Sequence, residues 1–270
     1  MKIQKVLVFN LIIIFIFALS LFADEREEFH KIVDLKKGGK LILENINGSI
    51  TISSWDKNQV DIFAVKSTKE KYREELKETE IEVHSTEDSL TIRTKYLRRF
   101  FIRSNHVSVR YELKVPKEIN LEKIKSVNGE INISDIIGSI NTFTTNGKIL
   151  LSNLKGKANV STTNGAINVE NFSGELEAET TNGSISLEIS QLKNRLEAAT
   201  VNGSIKVYLS PEIDADFEAK TVNGGISCDF PVRIKKLGFL GRKLEGKIGR
   251  GGNLIYLRTV NGSIKIYESK

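Results

Sequence analysis

Apolar residues recur with a period of two inside blocks of nine. From residue 130 to 183 the blocks read EINISDIIG, SINTFTTNG, KILLSNLKG, KANVSTTNG, AINVENFSG and ELEAETTNG. Their second and fourth positions are Ile131/Ile133, Ile140/Thr142, Ile149/Leu151, Ala158/Val160, Ile167/Val169 and Leu176/Ala178. Such alternation predicts a short strand with one buried face. The seventh position is apolar or Thr: Ile136, Leu154 and Phe172 against Thr145, Thr163 and Thr181. Each block thus reads as a strand, a corner and a glycine turn. One block cannot bury its apolar face alone, so blocks must stack. Two blocks make an 18-residue circuit. The expectation is an all-β fold: a single-stranded parallel β-helix with coils hydrogen-bonded at roughly 4.8 Å spacing. Coils of 18–20 residues would number about 7 to 9. The periodicity alone does not fix the handedness.

The turns follow the same count. Asn-Gly occurs eight times, at Asn47-Gly48, Asn128-Gly129, Asn146-Gly147, Asn164-Gly165, Asn182-Gly183, Asn202-Gly203, Asn223-Gly224 and Asn261-Gly262. From Asn128 the steps are 18, 18, 18, 20, 21 and 38, so the last reads as a coil stretched by an insertion. Further glycines fall midway, at Gly138, Gly156 and Gly174. Glycine accepts a positive φ freely and Asn tolerates it. Stacked Asn and Thr side chains can also hydrogen-bond along a ladder. The turns from Asn128 onward therefore read as a structural ladder. Calcium-binding nonapeptide rolls read G-G-x-G-x-D. The turns here read NGK, NGA and NGS and lack the carboxylates a hard cation needs.

Residues 40–56 fit the same frame through Leu41, Leu43, Ile46, Ile50, Ile52 and Trp55. VDIFAVK adds a strand. STKEKYREELKETE reads as a short helix, with Ser67 and Glu70 as a capping box and Tyr72 and Leu76 on one face. IEVHS, SLTIRTKY and VSVRYELKVP read as strands. The organisation expected is one β domain over residues 24–270, irregular to about 120 and regular beyond.

The N-terminus sets the compartment. MKIQK carries two lysines, residues 6–22 are apolar except Asn10 and Ser20, and ADEREE turns acidic. This is the pattern of a signal peptide over residues 1–23. The same run, kept uncleaved, would be an anchor near the short limit for spanning a bilayer. Either way the rest is exported, to the periplasm, the outer membrane or the cell surface.

Charge adds little. There are 40 basic and 34 acidic residues, for +6; without the two leader lysines the balance is 38 against 34, or +4. That argues against a nucleic-acid partner. Two segments are nonetheless basic. Residues 93–110 hold six basic residues and no acid, and residues 231–252 hold seven and one. Arg98, Arg99, Phe100, Phe101, Arg103, Lys235, Lys236, Arg242 and Lys243 are candidates for contact with an anionic surface such as phospholipid, lipopolysaccharide or an acidic polymer. Two solvated loops would look the same, except that Phe100 and Phe101 need burial or a partner.

Candidate chemistry is thin. His30, His84 and His106 are far apart, and Cys228 occupies an inward position of GISCDF. One cysteine forms no internal disulfide. GKIGRGG is glycine-rich, but no helix follows to cradle a phosphate. Glu170 and Glu188 fall at equivalent positions and should stack, with Glu175, Glu177 and Glu179 nearby. They read either as a carbohydrate-active site on a β-helix or as outward residues that keep a strand soluble. No catalytic, cofactor or metal residue is assigned.

The stretch GGKLILENINGSITISSWDKNQVDIFAVK, the serial T[TV]NG[SAK]I coils and the ending KTVNGGISCDFPV…GKIGRGGNLIYLRTVNGSIKIYES carry a resemblance. The chain resembles the bacterial "putative adhesin" β-strand-repeat family, domain of unknown function 4097, over residues 28–269. The resemblance implies an extracytoplasmic, right-handed β-helix with no established catalytic residues, and envelope work. The expected function is non-enzymatic: adhesin-like binding or structure in the envelope. A periplasmic, envelope-stress-linked scaffold is the alternative, and a polysaccharide-active enzyme a third. Expected partners are an envelope polymer, an anionic membrane surface or a protein; no cofactor is implied.

Overall fold

The computed structural model describes residues 24–96, 106–231 and 241–269, with the backbone of 233–236. The leader read over residues 1–23 lies outside them, as do Arg98, Arg99, Phe100, Phe101 and Arg103.

Among the described residues the fold is all-β with one short helix. The strands in order are β1 (Asp24–Asp34), β2 (Lys40–Glu44), β3 (Ile50–Trp55), β4 (Gln59–Lys69), β5 (Glu80–Ser85), β6 (Ser89–Lys95), β7 (Ser108–Pro116), β8 (Asn120–Lys125), β9 (Ile131–Ser134), β10 (Ile137–Asn146), β11 (Ile149–Asn164), β12 (Ile167–Asn182), β13 (Ile185–Asn202), β14 (Ile205–Leu209), β15 (Ala215–Asn223), β16 (Ile226–Cys228), β17 (Arg233–Lys236), β18 (Arg242–Ile248), β19 (Asn253–Asn261) and β20 (Ile264–Glu268). All twenty join one curved, solenoid-like sheet.

In the middle of the sheet the 18-residue period becomes register. β10, β11 and β12 pair in parallel, with Gly138 beside Gly156 and Gly156 beside Gly174. The second and fourth block positions are buried, from Ile131 and Ile133 through Leu176 and Ala178. So are Ile136, Leu154 and Phe172 at the seventh position. Thr145, Thr163 and Thr181 are not. The threonine before each, Thr144, Thr162 and Thr180, is the one turned inward. Ile46 shares the outer position and is 40% exposed.

The ends depart from a purely parallel coil, and the sheet is mixed. Antiparallel pairs β1–β4, β4–β7 and β5–β6 close one end, and β15–β18 with β17–β18 close the other. The last rung of a parallel stack would present a row of unpaired N–H and C=O groups, a template for aggregation. Hairpins that run back along the end rungs cover it.

Chain order and stacking order also part company at the ends. The first coil, β2–β3, lies between β8–β9 on one side and β6–β7 on the other. The last, β19–β20, lies between β13–β14 and β15–β16. The 38-residue step is therefore no stretched coil. It contains the β17–β18 hairpin and the return into a slot left open between two earlier coils.

The helix is shorter than its sequence suggests. A 3₁₀ turn (Glu70–Tyr72) leads into α1 (Arg73–Lys77). Ser67 is no cap: it extends β4 and pairs with Arg26 of β1, and neither helical start carries a side-chain cap bond. Ladder bonds to β1 hold the chain extended through Lys69. Leu76 is buried, and Tyr72 stacks on His106 with ring centroids 3.5 Å apart. Among the described residues no helix is long and apolar enough to cross a membrane.

Candidate functional site

The Asn-Gly turns build one continuous ladder. In the spatial order Asn47, Asn128, Asn146, Asn164, Asn182, Asn202, Asn261, Asn223, each Asn Nδ2 after the first donates to the Oδ1 of the rung before it at 2.8–2.9 Å. The inward threonines bind the same turns. Thr144 Oγ1 donates to the Gly129 carbonyl, Thr162 to Gly147, Thr180 to Gly165, Thr200 to Gly183, Thr259 to Gly203 and Thr221 to Gly262. This is why the phrase is TTNG and not merely NG: the first Thr anchors the turn and the second faces out.

The glycines serve close approach more than positive φ. A Cβ on Gly183 would sit 1.8 Å from the Gly165 carbonyl oxygen. Among the Asn-Gly turns only Gly48 has a positive φ. Most left-handed residues lie elsewhere, among them the midway Gly138, Gly156 and Gly174 and the three residues Asp135, Asn153 and Asn171. These last three form a second ladder, with Asn153 donating to Asp135 and Asn171 to Asn153 at 3.0 Å. The signal for it was the Asp or Asn at position six of alternate blocks.

The remaining candidate chemistry disperses. His30 contacts Asp61, His84 lies by Glu82, and His106 contacts Glu75. No group of three His, Cys, Asp or Glu among the described residues could hold a metal ion. Cys228 is half-buried against the core, and burial pushes its thiol above the ordinary range. GKIGRGG is tied down by two carboxylates: Arg250 N and Nε donate to Asp214, and Gly252 N to Asp216. Lys235 and Lys236 face Lys243 and Arg242 across β17–β18, though their side chains lie outside the described set. Lys243 is held between Glu218, at 3.0 Å, and Glu245. Glu218 is pulled below its ordinary range first by Lys220 and then by Lys243.

The glutamates fall on two faces. Asn168 pairs with Ser186 and Val169 with Leu187; Glu170 and Glu188, both exposed, follow this last regular pair, and the register shifts before Phe172 meets Ile189. The next rung outward carries Tyr208, stacked on Tyr267 at 4.9 Å. The corner at Asn171 and Gly174 separates these from Glu175, Glu177 and Glu179. Glu175 is paired with Lys157 at 2.8 Å and lowered by it.

The face with Glu177 and Glu179 is grooved. Its outward residues stand in two columns across the strands. One runs Asn141, Asn159, Glu177, Glu197, Tyr256 and Glu218; the other Phe143, Ser161, Glu179, Ala199, Arg258 and Lys220. Two adjoining open grooves of about 480 and 500 Å³ share Ser161 and Glu179. Phe143 is 37% exposed at the head of the first, with Lys125 Nζ 5.9 Å from its ring centroid. Reading along the chain picked out Glu177 and Glu179 but not the columns they stand in, because the residues of each column share no type.

A family described as Toastrack DUF4097 matches residues 34–267. The chain belongs to that family. A search of curated proteins returned no match. Solved structures similar to this Toastrack chain include a "putative cell adhesion protein" from Clostridium sporogenes, 17% identical, covering 91% of this chain and 100% of its own, with a TM-score of 0.37. A "putative adhesin" from Bacteroides fragilis is 13% identical, with 90% and 97% coverage and a TM-score of 0.43. A "putative lipid binding protein" from Parabacteroides distasonis is 13% identical, with 92% and 97% coverage and a TM-score of 0.36. At these identities and scores, what those proteins bind does not transfer to this chain.

Proposed function

We propose that this Toastrack chain is a non-catalytic, single-domain binding module of the cell envelope, exported by its N-terminal apolar segment and wound as a right-handed β-helix. The observation that supports it is the pair of outward columns on β10, β11, β12, β13, β19 and β15. Two asparagine ladders and a threonine column hold the rungs at fixed register. Side chains on that frame keep their spacing without a backbone ordering cost on binding, which suits recognition of an extended, repetitive partner.

A periplasmic scaffold built by end-to-end stacking is less well supported. β4, β5 and β18 run antiparallel along the terminal strands β7, β6 and β15 and block the addition of another parallel coil.

Protease shaving of intact cells, blotted beside a periplasmic control and a cytoplasmic one, tests the location. The module reading expects loss of the protein from intact or outer-membrane-permeabilised cells while the cytoplasmic control survives. Protection in both, with the purified protein cleavable, overturns it.

A further inference from the structure

We propose that the groove headed by Phe143 binds one extended, β-linked glycan chain laid across the strands, whose units offer hydroxyl, amide or ammonium donors. The inference rests on the binding-module reading and names what that module binds.

Four observations carry it. The first is spacing. Strands in a sheet lie roughly 4.8 Å apart, and each sugar of an extended β-linked chain advances by close to that distance. The second is relief. In the column Phe143, Ser161, Glu179, Ala199, Arg258, large and small side chains alternate. The notches at Ser161 and Ala199 are two rungs apart, roughly 9.6 Å. An extended β-linked chain turns its rings over at each sugar and so repeats over two, the same interval.

The third is the ring. Phe143 projects from a strand face with Lys125 on one flank and the short Ser161 on the other. An exposed aromatic ring between polar neighbours offers a platform for the C–H face of a sugar, an apolar contact that needs no charge on the ligand. The fourth is the acceptor set. Glu177 and Glu179 line the groove beside Asn159, and neither carboxylate is in an ion pair among the described residues. Carboxylates outside ion pairs accept strong hydrogen bonds from hydroxyl or ammonium groups and disfavour an anionic unit on their own rung, while Lys123 and Lys125 lie at the other edge of the groove.

The test is titration calorimetry on the full-length protein with three hexasaccharides: β-1,4-linked N-acetylglucosamine, β-1,4-linked glucose and α-1,4-linked galacturonate. At least one of the first two is expected to bind saturably, and galacturonate not to bind. Phe143→Ala should weaken binding about tenfold or more, and Ser161→Tyr, which fills a notch, should abolish it. Glu179→Gln keeps the shape and removes the charge; it should weaken binding while leaving the melting temperature unchanged. No saturable binding of either neutral hexamer, equal binding by wild type and all three variants, or preference for galacturonate would overturn the proposal. A protein that shaving places in the envelope yet binds none of the three loses the groove assignment and keeps the envelope role. One that binds but is protected in both cell preparations loses the envelope role and keeps the groove.

Discussion

Asn261 donates to Asn202 across 59 residues of chain, and the bond is as short, at 2.8 Å, as that between Asn146 and Asn128, 18 residues apart. The ladder does not distinguish a neighbour in sequence from one that returns late. The last coil enters a gap between two coils made earlier, flanked by β13 and β15. Its Thr259 and Gly262 complete contacts that neither flanking coil can make without it.

The two threonines of one turn should behave oppositely. Thr180 is buried and its hydroxyl holds the Gly165 carbonyl at 3.1 Å, while Thr181 faces out. Thr180→Val keeps the shape and removes the donor, and should cost about 1–2 kcal/mol. Thr181→Val should stay within about 0.5 kcal/mol of wild type. Urea unfolding of both variants checks this; equal losses would mean that the inward threonine is not the anchor.

Gly183 should tolerate no side chain. A Cβ there would lie 1.8 Å from the backbone oxygen of Gly165, which has no freedom to move because its own rung is paired on both sides. Gly183→Ala should cost about 3 kcal/mol or more. Ser184→Ala, one residue on and exposed, is the control. A shift in melting temperature no larger than the control's would show that the rungs can spread.

Much of this fold was legible, for a specific reason. Period 18 in the sequence is register in the sheet, so Ile149 beside Ile167 and Asn164 beside Asn182 could be read directly. The ends could not be, because a strand such as β18, antiparallel to β15, shares no period with what it covers. Ser67 looked like a helix cap because local signals do not show that β1 is waiting to pair with it. Composition gave no hint of the groove. Yet Phe143, Ser161 and Glu179 all occupy position five of alternate blocks, so aligning blocks by rung, rather than reading along the chain, brings the column out.

Acid should weaken the first coil through Glu44. Its carboxylate takes a hydrogen bond from Lys123 and another from Arg93 at 2.8 Å, and these, Lys123 foremost, hold it below its ordinary 4.5. A carboxylate depressed in the folded state adds stability above the unfolded-state value, and loses it as pH falls through the folded one. Glu44 is 26% exposed, so the contribution is about 1 kcal/mol or less. Glu44→Gln should flatten the acid limb of the stability profile below pH 4.5 and leave neutral stability lower by the same amount. Parallel profiles for the two proteins would show that the pair contributes nothing measurable.

The C-terminal hairpin should act against self-association as well as for stability. β18 covers the outer edge of β15 from Ala215 to Thr221, and Leu244 is its fully buried contact. Leu244→Ala should cost about 2–4 kcal/mol by cavity formation. The loss falls on an end strand, so local opening of the cap should precede global unfolding. Once open, β15 presents a parallel-sheet edge flanked by the exposed Val222, a surface ready to pair with another chain. Size-exclusion chromatography in mild urea should therefore show oligomers of Leu244→Ala at concentrations where the wild type stays monodisperse. Leu187→Ala supplies the comparison, because it opens an equally buried site in the middle of the stack. It should destabilise to a similar extent without producing oligomers below its unfolding transition, since its strand is paired on both sides. Oligomers from both variants would assign the association to general destabilisation and not to the uncovered edge.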